Sequence, residues 1–178
     1  MTDDQLVKFC ADNGDLRIEL TAERKLIVMP PANPETSSKN YSINGELYVW
    51  SKQDGTGVGF ESSAGFTLPN GAVRSPDASW MSKERWEAVP EDDKLRFSHV
   101  APDFVAELRS PSDSLAILQN KMEEYIENGV RLGWLIDPFQ RQVHIYRPGQ
   151  TVEVLEYPAS VSGESVLPGF VLNFQEIW

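Results

Sequence analysis

The sequence predicts an α/β (α+β) protein, and three observations favour that fold class. Residues 132–136 form a continuous apolar run, the pattern of a strand that is buried on both faces. Residues 103–109 form a short apolar strand that carries two acids and one base, and apolar residues recur at helical spacing over 115–126. A chain of 178 residues can bury a substantial core, so we expect one domain over 1–178.

Composition and charge limit the classes of function. The net charge is −11, which argues against broad, nonspecific binding of nucleic acid but leaves room for a locally basic groove. No apolar run reaches the roughly 18 residues of a membrane span. The N-terminus lacks the basic-then-apolar order of a secretory signal, so we expect a cytoplasmic protein without membrane contact.

The first third of the chain predicts a hairpin followed by a helix. Residues 1–15 are polar, and they are expected to be loose or to form a short helix. The apolar runs at 16–20 and 25–29 predict an N-terminal hairpin. After three prolines, a helix is expected over 35–51. Its expected buried positions are Tyr41, Leu47, Tyr48 and Trp50.

Strands and turns are expected next. The strands are 65–68 and 73–80, with a turn at 69–71 between them, and the second strand carries Pro76-Asp77. A charged connection follows at 82–99.

The middle of the chain predicts a strand that leads directly into a helix. Because side chains alternate along a strand, Asp103, Glu107 and Arg109 share one face of 103–109. Ser110-Pro111-Ser112-Asp113 has the composition of a helix start, and Asn128-Gly129 that of a helix stop. The expected buried stripe of this helix is Leu115, Leu118, Met122, Tyr125 and Ile126.

The C-terminal part predicts further strands and a docking segment. The central strand at 132–136 turns into a hairpin mate that contains Val143 and Ile145, and 152–155 is a further strand. Residues 165–178 form a tail. Its aromatic residues available for docking are Phe170, Phe174 and Trp178.

A carboxylate inside an apolar strand is costly to bury unless something binds it. If the strand that carries Asp77 lies beside the strand that carries Glu107, the two carboxylates converge and offer oxygen ligands to Mg²⁺ or Mn²⁺. Such an ion activates water and stabilises charge on a phosphoryl oxygen. Each acid also has a plainer interpretation, since Asp77 can cap a turn after Pro76 and Asp103 can be a strand-entry residue.

Two basic residues are candidates to assist. Arg109 can hold phosphate but is a poor proton acceptor, or it can form a structural ion pair with Glu107. Lys121 lies at the margin of the buried helix stripe and can orient a water or help to deprotonate it; alone, it would be an ordinary solvated lysine. Zinc-ligand spacing, a Gly-x-Ser-x-Gly elbow and a Walker loop are all absent from the sequence.

The order Pro76-Asp77, Glu107-Leu108-Arg109, Lys121 resembles the PD-(D/E)xK nuclease superfamily. The segment 102–113, followed by Lys121, Tyr125, Gly129 and 134–138, is more closely similar to the Uma-type putative restriction endonuclease family, which is widespread in cyanobacteria. The resemblance extends over about residues 16–149.

The resemblance implies a restriction-endonuclease-like mixed sheet flanked by helices, with a magnesium-dependent phosphodiesterase site. It implies that Asp77 and Glu107 are metal ligands. Arginine stands at position 109, where the superfamily has lysine, and the lysine's role would pass to Lys121. An additional acid often completes such sites. Its candidates here are Glu35, in first place, and Glu19, in reserve.

The leading hypothesis is therefore an endonuclease that uses Mg²⁺ (or Mn²⁺) to hydrolyse nucleic acid, with DNA as the expected partner and a homodimer as a plausible assembly. The alternative is a catalytically inactive nuclease-fold protein kept for binding or assembly. A third hypothesis is a small-molecule-binding domain without metal.

Overall fold

The computed structural model describes residues 1–14 and 16–178. The helices are α1 (Asp3–Asp12), α2 (Pro34–Asp54), α3 (Lys83–Glu87), α4 (Glu91–Lys94) and α5 (Leu115–Glu127). The strands are β1 (Arg17–Leu20), β2 (Leu26–Met29), β3 (Gly57–Glu61), β4 (Phe66–Thr67), β5 (Val73–Arg74), β6 (Ala78–Ser82), β7 (Phe104–Leu108), β8 (Leu132–Asp137), β9 (Gln142–Tyr146), β10 (Glu153–Glu156), β11 (Ser160–Ser162) and β12 (Val171–Asn173).

The main sheet has six strands in the order β10-β9-β8-β7-β6-β3. Only the β7–β8 pair is parallel, and α5 is the crossover that a parallel pair requires. A second sheet has the order β2-β1-β5-β4, and β11 and β12 form a separate ribbon. The expected class, a mixed sheet flanked by helices with an N-terminal hairpin, is confirmed.

The central strands β7 and β8 are buried on both faces, as the continuous apolar run at 132–136 predicted for β8. Phe104, Ala106 and Leu108 of β7 pack on one side with Trp134, against α2 and the C-terminal segment. The opposite side of β7 packs against α5, through Val105, Met122 and Tyr125. Glu107 is on this second side, because it is two residues from Val105 along the strand.

The expected single strand at 73–80 is wrong. The chain forms β5 in the smaller sheet and β6 in the main sheet, with Ser75–Pro76–Asp77 crossing between them. Proline has no N–H to donate to a ladder, so Pro76 favours a break at this point. Asp77 therefore lies immediately before β6, where the two sheets meet.

Two expectations about helices also need correction. Tyr41 and Tyr48 of α2 are 83% and 62% exposed, because the buried stripe runs through Ile43 and Leu47, one turn apart. The second correction concerns the start of α5, which lies at Leu115 with Ser114 as its N-cap.

Residues 110–113 form a separate turn ahead of α5, closed by a 2.8 Å bond from the Ser110 N–H to Asp113 Oδ2. The expected stop of α5 at Asn128-Gly129 is confirmed. Among the residues that the structure describes, no helix is both long enough and apolar enough to span a membrane.

Candidate functional site

A cavity of about 340 Å³ opens where the two sheets and α5 meet. Asp77, at the start of β6, Glu107, on β7, and Lys121, on α5, line it together with Arg17 of β1. We call it the acidic cavity. Its outer walls are formed by the segments 29–33 and 110–113. Residues that are far apart in sequence therefore meet in one hollow that is open to solvent.

Glu107 is the most deeply buried acid of the cavity, with 4% of the residue exposed. Its Oε1 accepts a 2.8 Å bond from the Tyr125 hydroxyl and lies 2.8 Å from the Lys121 ammonium. Burial raises the pKa of Glu107 to about 7, and the negative charges of Asp77 and Glu19 add to the rise against the opposing effect of Lys121. The ionised form is therefore costly at this position.

Lys121 bridges two carboxylates, since its Nζ lies 2.8 Å from Glu19 Oε1 and 2.8 Å from Glu107 Oε1. Burial disfavours the charged ammonium of Lys121 and by itself lowers its pKa. The negative charges of Glu107 and Glu19 outweigh this effect, so the pKa of Lys121 is raised. The side chain is therefore held as a protonated donor, suited to orienting a water or stabilising negative charge. It is poorly suited to accepting a proton.

Glu19, the reserve candidate, lies behind Lys121. Besides the lysine, it accepts a 3.1 Å bond from Arg74 and a 3.0 Å bond from the Ser75 N–H. Burial opposes its ionised form, but these partners outweigh burial and lower the pKa of Glu19. Arg74 is itself fixed by a 2.6 Å bond to Glu124 of α5.

Asp77 has one oxygen engaged and one directed toward a cation. Its Oδ2 accepts a 2.9 Å bond from the Leu108 N–H, and its Oδ1 lies 3.8 Å from the Arg17 guanidinium. Burial raises the pKa of Asp77 despite this hydrogen bond. The structure thus places Asp77, Glu107 and Lys121 around one cavity, with the reserve acid Glu19 bonded to Lys121 behind it.

Three other candidates are placed elsewhere. The Glu35 side chain is 80% exposed and pairs with Lys39 one turn along α2, so the first-choice additional acid does not line the acidic cavity. Asp103 is buried at the far end of β7, where the Ser82 N–H and Arg85 bond to it at 2.8 Å. Arg109, just after β7, pairs with Asp137 at 2.7 Å and leaves the Glu107 face.

The side chains present fit a divalent ion held by two carboxylates. Asp77 and Glu107 offer oxygen donors in one hollow. Burial raises the pKa of each carboxyl, and a cation bound between them would offset the cost of keeping both ionised. Within residues 1–14 and 16–178, no group of three or more His, Cys, Asp or Glu side chains is arranged to hold a metal. Glu19 does not supply a third ligand because Lys121, Arg74 and Ser75 occupy it.

Sequence reasoning missed four residues of this region. Tyr125 was expected only in the core, but its hydroxyl bonds to Glu107. Arg74 and Arg17 carry no local signal, because their partners lie 50 or more residues away along the chain. Asn40 of α2 lines the cavity, and its buried Oδ1 has no hydrogen-bond partner among the described residues.

The chain matches the family model Uma2, described as putative restriction endonuclease, over residues 3–175. A solved structure with the same fold is a putative nuclease belonging to DUF820 from Anabaena variabilis ATCC 29413. The two share 24% sequence identity and superpose with a TM-score of 0.77, over 89% of this chain and 88% of that one. No curated protein gives a significant match.

Proposed function

This chain belongs to the Uma2 family of putative restriction endonucleases, and we propose from that premise that it hydrolyses phosphodiester bonds of nucleic acid, with DNA as substrate and Mg²⁺ or Mn²⁺ as cofactor. The observation that carries the proposal is the convergence of Asp77 and Glu107 beside the Lys121 ammonium in one open cavity. Two carboxylates and a fixed cation suit phosphoryl chemistry, in which charge develops on non-bridging oxygens.

Asp77 and Glu107 would hold the divalent ion, which supplies water activation and charge stabilisation when bound. Lys121 donates hydrogen bonds from a position between Glu19 and Glu107, and it can orient a water for in-line attack on phosphorus. Its raised pKa makes it a donor and an electrostatic stabiliser rather than a general base.

Residues behind the cavity hold these groups in place. Arg74 and the Ser75 N–H fix Glu19, which in turn fixes one side of Lys121. The Tyr125 hydroxyl fixes Oε1 of Glu107 and leaves Oε2 as the oxygen without a bonded partner in the described part of the chain. Such supporting contacts are what a preorganised site requires.

Titration with Mn²⁺ by calorimetry tests the proposal. We expect one binding event in the wild-type protein and at least about tenfold weaker binding in Asp77→Asn, because one of two charged ligands is lost. Asp12→Asn, which changes an exposed acid of α1, is the matched control. Equal binding by wild type and Asp77→Asn, or no binding by either, would contradict the proposal.

The second candidate function is a catalytically inactive nuclease-fold protein for binding or assembly. The arginine at position 109 and the net charge of −11 favour it, since both depart from an ordinary nucleic-acid enzyme. The two candidates differ in one readout. Incubation of the protein with DNA and RNA, single- and double-stranded, in Mg²⁺ or Mn²⁺ yields cleavage products only for the enzyme.

A sizing column run on the same preparation tests whether the protein is a homodimer.

A further inference from the structure

Two basic residues line the acidic cavity within the described ranges, and they differ in how they are held. Lys121 is locked between two carboxylates at 2.8 Å. Arg17 lies on the first strand, with 34% of its side chain exposed, and its nearest acidic partner is Asp77 Oδ1 at 3.8 Å. That distance is beyond hydrogen-bond range, so the guanidinium is close to the acid without being fixed by it.

We propose that Arg17 is the residue that contacts the substrate phosphate, and that it exchanges its Asp77 partner for that phosphate when a divalent ion occupies the carboxylates. The inference rests on the proposed nuclease function. It assigns to Arg17 the role that the sequence had offered to Arg109, whose guanidinium is instead paired with Asp137 at 2.7 Å.

The charges around the cavity favour this assignment. Asp77 and Glu107 attract a cation, and in this structure Arg17 is the cation beside Asp77. A divalent ion held by the same carboxylate would bring a second positive charge next to the guanidinium, and the repulsion would favour a move of Arg17 toward an anion. A phosphate oxygen on the substrate is such an anion, and the planar guanidinium can bind it with two parallel hydrogen bonds.

The other arginines near the site already bond to carboxylates. Arg74 bonds to both Glu19 and Glu124, and Arg109 to Asp137. Lys121 would lose two buried ion pairs if it moved to a phosphate. Moving Arg17 would break the weakest interaction of these residues, because its only charged contact within the described residues is the 3.8 Å one to Asp77.

The test compares Arg17→Gln with Lys25→Gln, which removes the same charge from the exposed turn of the same hairpin. The probes are a fluorescein-labelled DNA duplex and its separate strand, bound in Ca²⁺ and followed by anisotropy across a series of salt concentrations. For Arg17→Gln we expect about tenfold weaker binding, and a slope of log affinity against log salt that is smaller by about 0.7–0.9. Lys25→Gln should match the wild type, and Arg17→Lys should recover most of the salt slope.

A second readout needs no nucleic acid. Removing the cation beside Asp77 should make Mn²⁺ bind more tightly to Arg17→Gln than to the wild type, so metal and DNA affinities move in opposite directions. A merely structural arginine would weaken both.

The possible failures are separable. If wild type and Arg17→Gln bind the oligonucleotides equally, or if Mn²⁺ binding by Arg17→Gln is unchanged or weaker, the inference is overturned and the nuclease proposal stands. If the wild type binds neither oligonucleotide, the nuclease proposal itself is overturned, and this inference with it.

Discussion

Asp103 and Glu107 are two buried acids at opposite ends of β7, Asp103 just before its first residue and Glu107 near its last, yet their surroundings differ. Asp103 is fully buried, and both of its oxygens are engaged, Oδ2 by the Ser82 N–H and Oδ1 by Arg85. Glu107 has its donors on one oxygen only and lines a cavity that it shares with Asp77. A strand rises about 3.3 Å per residue, so the two acids lie about 13 Å apart.

The difference teaches how to separate a structural acid from a candidate ligand. Partners from α3 and the end of β6 satisfy the Asp103 carboxylate completely, and they tie the start of β7 to its neighbours. At Glu107, burial and neighbouring acids raise the pKa to about 7, and one oxygen is left for something else. Burial alone does not mark a functional acid; incomplete satisfaction in an open cavity does.

The largest effect is expected from Glu107→Gln. Cleavage should fall by at least about 10³-fold, because the proposed metal ligand would become neutral and several kcal/mol of transition-state stabilisation would be lost. Rates measured at saturating Mg²⁺ and Mn²⁺ test this expectation. A variant that cuts at the wild-type rate would remove Glu107 from the mechanism.

The stability of the same variant relative to the wild type should depend on pH. The Glu107 pKa is raised from 4.5 to about 7 on folding, so the folded state binds the proton more tightly than the unfolded state does. The cost of ionising Glu107 thus appears as pH rises above 4.5 and is complete above about 7. In chelator, urea unfolding should show the stability of Glu107→Gln relative to the wild type rising as pH increases from 4.5 to about 7. The lost ion pair with Lys121 adds a cost to the variant that sets the level of the whole curve.

Asp103→Asn should behave in the opposite way. We expect a loss of about 1–3 kcal/mol in the free energy of unfolding, because Arg85 loses a charged partner and a buried amide replaces a satisfied carboxylate. Metal affinity and cleavage per folded molecule should stay near the wild-type values. Urea titration together with Mn²⁺ calorimetry checks both expectations, and a selective loss of metal binding would show that the two acids are not independent.

The smallest effect is expected from Tyr125→Phe, which removes one of the two donors to Glu107 Oε1. Stability should fall by about 1 kcal/mol, and activity by about tenfold, since Lys121 still holds the carboxylate. The pH dependence of cleavage and the unfolding free energy are the measurements. A loss as large as that of Glu107→Gln would mean that the hydroxyl has a direct role.

Much of the fold follows from local pattern. The alternation at 103–109 predicted which side of β7 carries Glu107, and the run at 132–136 predicted the buried strand β8. Asn128-Gly129 predicted the end of α5, because Gly129 adopts a φ of +101° that suits glycine. These features depend on neighbouring residues only.

The remainder depends on tertiary contacts. Pro76 is a local signal for a break at 75–77, but the sheet that each flanking strand joins depends on contacts made elsewhere in the chain. Glu19 was ranked behind Glu35, yet Glu19 reaches Lys121 across 102 residues of sequence, while Glu35 remains on the exposed face of α2. The place of Arg17 beside Asp77 is likewise visible only once β1 and β6 are positioned.

A crystal of the wild-type protein soaked in Mn²⁺ tests the central claim most directly. We expect one anomalous peak between the carboxylates of Asp77 and Glu107, within metal–oxygen bonding distance of both, with Asp103 unaltered. A peak elsewhere, or no peak at Mn²⁺ concentrations that saturate the calorimetric titration, would contradict the account.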